Sequence, residues 1–125
     1  MRHSFILLAL LAGPPALAGE HFSPRQCASQ SSTPVINACA QQDYDAADRN
    51  LNAEYKKLRA RLPAASKATL LDEQRAWLKA RDPRCKAALE SEEGGTIWTS
   101  MYTTCLADAT RERSSQLRHW KERQP

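Results

Sequence analysis

The sequence predicts an all-α fold, a small antiparallel three-helix bundle stapled by two disulfides. Three observations carry this expectation. Apolar and semi-polar residues recur at three- and four-residue steps along three stretches, the spacing of one helix face. Pro63 and Gly94-Gly95 punctuate the chain between those stretches. Four cysteines, Cys27, Cys39, Cys85 and Cys105, follow an export-type N-terminus.

That N-terminus comes first. Arg2 and His3 precede an apolar run from Phe5 to Ala12, Gly13-Pro14-Pro15 breaks it, and Ala16-Leu17-Ala18 follows. A basic start, a short apolar centre and an A-x-A arrangement make a secretory signal peptide, read as residues 1–18. The run is too short to span a bilayer. Cys27 lies too far from it to be a lipid-attachment cysteine. The expected location is therefore periplasmic or secreted, with no membrane span. The whole chain carries 18 Lys and Arg against 14 Asp and Glu; without Arg2 the balance from Gly19 to Pro125 is near +3. Both signs are interspersed, which is not the dense basic patch of a nucleic-acid binder.

Residues 19–33 read as a polar segment, rich in Ser and Gln and tied down only by Cys27. The helical domain is expected over 34–123. Thr33-Pro34 opens the first helix, Thr as N-cap and Pro at the first helical position. Ile36, Ala40, Tyr44, Ala47, Leu51, Tyr55, Leu58 and Leu62 then form its stripe, and Pro63 marks its end. The second helix starts near Ser66 and carries Leu70, Leu71, Gln74, Trp77, Leu78, Arg81, Cys85 and Leu89. Pro83 falls inside it, so a kink is expected, with Asp82 capping the second half. Gly94-Gly95 ends that helix and Thr96 caps a third. Its stripe is Trp98, Met101, Cys105, Ala109, Leu117 and Trp120.

Short turns let the helix register be read. Folding the chain back near residue 64 sets Asp48 level with Arg81, Leu51 with Leu78, and Tyr55 with Gln74. An acid then faces the arginine and a phenol the amide. Asp48, Asn52, Tyr55, Gln74, Trp77, Arg81 and Asp82 are expected to form a structural polar core, with Asn52 accepting from the Trp77 indole. A fold-back at Gly94-Gly95 sets Cys85 next to Cys105 and leaves Cys27 with Cys39. Four cysteines allow three pairings, and Cys27–Cys85 with Cys39–Cys105 is the rival to that preference. The spacings supply no close ligand pair for a structural zinc.

The residues that carry catalysis are scarce. His21 and His119 belong to no metal-binding pair, serines lack a G-x-S-x-G elbow, and Gly94-Gly95 starts no phosphate-binding unit. The acidic residues are read as solvated faces and helix-end charges. The expectation is a protein without enzyme activity, cofactor or metal. Loops favour partner contact, and Glu90, Glu92 and Glu93 at the second turn are the candidate contact residues.

The residues also carry a family pattern. Cys27, Asn37-Ala38-Cys39, Tyr44, Ala47-Asp48, Leu51-Asn52 and Tyr55 open it. Gln74, Trp77, Arg81-Asp82 and Cys85 continue it, and Gly94-Gly95-Thr96, Cys105-Leu106, Thr110, Arg113 and Leu117 complete it. Over about residues 27–117 the chain resembles the lysozyme inhibitor LprI-like domain of exported bacterial proteins. The chain departs from that pattern at Pro83, in the R-D-x-x-C run. The resemblance implies a disulfide-bonded helical binding protein whose partner is a lysozyme-type muramidase, inhibited without covalent chemistry. An envelope structural or interaction module with no inhibitory role is the alternative.

Overall fold

The computed structural model describes residues 21–29 and 32–122. The signal segment expected over 1–18 lies outside these residues. Among the described residues there are four α-helices: α1 (Pro24–Ser29), α2 (Thr33–Ala60), α3 (Ala64–Ala88) and α4 (Trp98–Arg118). A short 3-10 turn, Glu90–Glu92, links α3 to α4. The bundle therefore has four helices where three were expected.

The additional helix is α1, inside the segment read as irregular. Ser23 and Gln26 close a reciprocal cap around its start. The Ser23 hydroxyl accepts from the Gln26 amide at 3.2 Å, and the Gln26 side chain accepts from the Ser23 amide at 2.8 Å. This is a capping box, with Pro24 at the first helical position. The Cys27–Cys39 disulfide then ties α1 to α2. A second tie precedes it. Phe22 donates its N–H to the Gln42 side-chain oxygen at 3.0 Å, and its carbonyl accepts from the Gln42 amide at 2.7 Å.

α2 and α4 run parallel, since Arg111 meets Asp43 and Arg118 meets Glu54 in rising order. α3 runs antiparallel to α4. Cys85 is bonded to Cys105, Arg81 reaches Thr110, Gln74 meets Arg113, and Ser66 donates to Glu122 at 2.6 Å.

Side-chain size sets the spacing. Ser100, Thr103, Ala107, Thr110 and Ser114 are all buried along α4, and Ala47 is buried on α2. Small residues let helix axes come close, and α2 and α4 share the largest interface. Between α2 and α3 stand larger groups, Tyr44, Trp77 and Arg81 among them. α3 accordingly rests more on α4 than on α2. The apolar centre is Leu51, Leu58, Leu70 and Leu117, surrounded by Tyr55, Leu62, Trp77 and Trp120. Leu78, expected in the core opposite Leu51, is 45% exposed.

α3 continues through Pro83 as one helix. Asp82 does not cap a second half; its carboxylate accepts from the Arg81 Nε at 3.0 Å.

Candidate functional site

Two side chains of the α3 stripe, Gln74 and Arg81, find partners other than those expected. Gln74 is buried, and its side-chain oxygen accepts from Arg113 Nε of α4 at 2.8 Å. Tyr55 instead packs against the leucine cluster. The Arg81 guanidinium lies 5.2 Å from the Tyr44 ring centroid and 5.4 Å from that of Trp77. Such distances allow cation–π attraction. Arg81 also donates to Thr110 at 3.4 Å and pairs with Asp82.

Among the described residues Arg81 makes no ion pair with Asp48, which is half-buried. The expected Asp48–Arg81 and Tyr55–Gln74 pairs are thus replaced. The reason is where α3 sits: it presents Gln74 and Arg81 to α4, and Arg81 meets Tyr44, one turn before Asp48 on α2. Asn52 and Asp82 are exposed and stand outside the polar core assigned to them. Asn52 therefore cannot serve as a buried acceptor for Trp77, which is itself half-buried.

Burial raises the Tyr44 phenol above its ordinary value; Arg81 opposes this, while Asp48 and Asp82 add to it. Burial likewise raises Tyr102, with Asp82 contributing and Arg81 opposing.

The acidic turn lies at one end of the bundle. Glu90, Glu92 and Glu93 are all exposed. A ladder of short-range bonds fixes the backbone: Glu92 N to Leu89 O at 3.0 Å, Glu93 N to Glu90 O at 3.2 Å, and Gly95 N to Glu92 O at 3.0 Å. Gly94 sits at φ +84, a left-handed conformation that suits glycine. A side chain on Gly95 would meet the Glu92 carbonyl at 3.1 Å. Beneath the turn, the Cys85–Cys105 bridge joins α3 to α4, with Cys85 buried. Trp98 stacks on Tyr102 with ring centroids 5.0 Å apart. Ile97, four positions after Glu93 in the chain, is 49% exposed. The turn thus presents three carboxylates and one apolar side chain on a braced support.

Arg113 has no role in the sequence pattern beyond its place in the family resemblance, yet among the described residues it is a buried cation. Its position one turn after Ala109 and one before Leu117 places it on the inward face of α4. Periodicity alone reads such a position as the polar edge of a stripe. Among the described residues, no group of three His, Cys, Asp or Glu side chains is placed to hold a metal ion. Among the same residues no helix is long and apolar enough to cross a membrane.

These features define a small helical domain locked by two disulfides, with its charged groups spent on packing and surface. A family model described as "Lysozyme inhibitor LprI" matches residues 25–117. The chain belongs to the LprI family. It is similar to the uncharacterized protein R02472 of Rhizobium meliloti (strain 1021), at 32% identity over 98% of this chain and 97% of that protein. No solved structure matches it.

Proposed function

We propose that this chain is a periplasmic or secreted binding protein, released from its signal segment, that inhibits a lysozyme-type muramidase by non-covalent contact. The observation that carries the reading is the braced acidic turn of Glu90, Glu92 and Glu93, with exposed Ile97 four positions after Glu93. The net charge of the chain is positive, so long-range attraction does not steer it toward a cationic enzyme. A local patch of opposite sign can still set register and specificity at contact. Ile97 supplies apolar area that water leaves on docking. Rigidity helps as well, because a loop already ordered loses less freedom on binding.

The test mixes the oxidised domain from Gly19 onward with several lysozymes and follows cell-wall clearing. Protection is expected for at least one enzyme, with a complex at micromolar protein. Reversing Glu90, Glu92 and Glu93 to lysine is expected to abolish protection while the helical spectrum stays unchanged. Absence of both complex and protection would leave the interaction-module reading in place for those enzymes.

A further inference from the structure

We propose that the cleft between α3 and α4 is a binding site for a small monocarboxylate, held by Arg113 and Arg84 against an apolar wall that includes Trp77. The cleft measures about 580 Å³. Its α3 wall carries Glu73, Ala76, Trp77 and Ala80, which share one helix face, and the two alanines keep it open. Arg84 continues the same face, and Arg113 and Gln116 close the cleft from α4.

Arg113 is the observation that points to a ligand. It is only 9% exposed. Its Nε is taken by Gln74, while NH1 reaches Gln116 at 3.3 Å, a long contact to a neutral acceptor. NH2 is buried with no hydrogen-bond partner. Among the described residues no carboxylate lies within ion-pair distance of this guanidinium. Glu73 is near enough to favour its charge but is committed to the Trp120 indole at 2.7 Å. A buried cation without a counter-charge is costly, and a guanidinium keeps its charge even there. The fold therefore omits one anion at this place.

The chemistry of that anion follows from the lining. Two arginines and one glutamate leave a single positive charge, which suits a monoanion better than a phosphate dianion. The planar guanidinium matches a carboxylate's two oxygens. Trp77 and the alanines offer an apolar surface for the body attached to it. A sugar acid and an N-acylated amino acid both supply this group.

The experiment uses the oxidised domain labelled with nitrogen-15. N-acetylmuramic acid, N-acetylalanine and neutral N-acetylglucosamine are titrated while the Arg113 Nε–H and the Trp77 indole N–H are followed. Both carboxylates are expected to shift these two signals with dissociation constants of about 1 mM or tighter, and the neutral sugar is expected to leave them in place. Arg84→Gln, at an exposed position, is expected to weaken binding roughly three- to ten-fold without loss of fold. Tighter binding of N-acetylmuramic acid assigns a glycan source, and tighter binding of N-acetylalanine a peptide source. Silence of both signals, an equal response to the neutral sugar, or unchanged affinity in Arg84→Gln overturns the site. The inference does not rest on the acidic turn: charge reversal at Glu90, Glu92 and Glu93 leaves the expected shifts intact.

Discussion

Arg113 of α4 donates its Nε–H to the Gln74 side-chain oxygen of α3 across 2.8 Å, both residues buried. No described carboxylate pairs with this arginine, so an amide is its main protein acceptor. Hydrogen bonds to charged groups are worth about 1.5–3 kcal/mol. Gln74→Ala is therefore expected to lower stability by about 2–3 kcal/mol, read from the urea midpoint. Gln74→Glu would supply the missing counter-charge and is expected to keep most of the stability. Equal losses in both variants would show that a carboxylate oxygen cannot stand in for the amide oxygen that accepts from Arg113.

Arg81 and Asp48 should respond very differently to truncation. The Arg81 side chain is 10% exposed and lies over two aromatic rings. Desolvated cation–π contacts reach about 2 kcal/mol, so Arg81→Ala is expected to cost about 2–3 kcal/mol. Asp48 is half-buried and makes no described ion pair with it. Asp48→Ala is expected to cost less than about 1 kcal/mol, like other substitutions outside special contacts. A double-mutant cycle between them should give a coupling below about 0.5 kcal/mol.

The contrast between these residues shows what the sequence can express. Three-and-four spacing along α2, α3 and α4 encodes which residues share a face. It does not encode how far each helix turns about its own axis. The expected register sets Arg81 level with Asp48, whereas in the structure it meets Tyr44, one turn earlier on α2, and Thr110 of α4. Asn52 on α2 and Asp82 on α3 are both exposed, so level register alone does not bring a residue into the core. α1 is faint in the sequence on different grounds. Six residues are too few for an apolar stripe, and only Ser23, Pro24 and Gln26 at capping positions announced it. The Glu90–Glu93 turn was legible because its glycines and charges are local signals. The Arg113 cleft was not, since it joins residues 29 or more positions apart on two helices.

The close approach of α2 and α4 gives a packing prediction. Ala107 is fully buried on α4. Leucine there adds three carbons where no space exists, and overpacking of this kind typically costs about 1–3 kcal/mol. Ala107→Leu is expected to fall in that range by thermal unfolding, and Ala107→Gly to cost about 1 kcal/mol through helix propensity. A neutral leucine variant would mean that the α2–α4 spacing is set by something other than small side chains.

Alkaline titration tests the tyrosines. Burial raises Tyr44 and Tyr102 in the folded chain. A group whose pKa is higher folded than unfolded contributes stability that is complete below its unfolded value, about 10 for tyrosine. That contribution is lost as pH rises through the folded value. Stability is therefore expected to fall above about pH 10. Tyr44→Phe, which cannot ionise, is expected to show a shallower fall. An identical slope in the variant would remove Tyr44 from this effect.

The two disulfides should divide structure from function. Cys85 and Cys105 are 20 positions apart, and Cys27 and Cys39 are 12 apart. In the chain-entropy account, bridges over loops of this size each stabilise by about 3 kcal/mol, with the longer loop slightly ahead. Their local effects differ more. The first bridge closes the segment that carries Glu90, Glu92 and Glu93, whereas the second fastens α1, which Phe22 and Gln42 also hold. Replacing Cys85 and Cys105 together by serine is expected to lower stability and to speed amide exchange from Leu89 to Trp98. If the acidic turn makes the proposed contact, that variant also loses muramidase inhibition below its melting point. Replacing Cys27 and Cys39 is expected to cost similar stability while leaving exchange in the turn, and inhibition, unchanged. Equal loss of inhibition in both variants would mean that global stability, not the braced turn, governs binding.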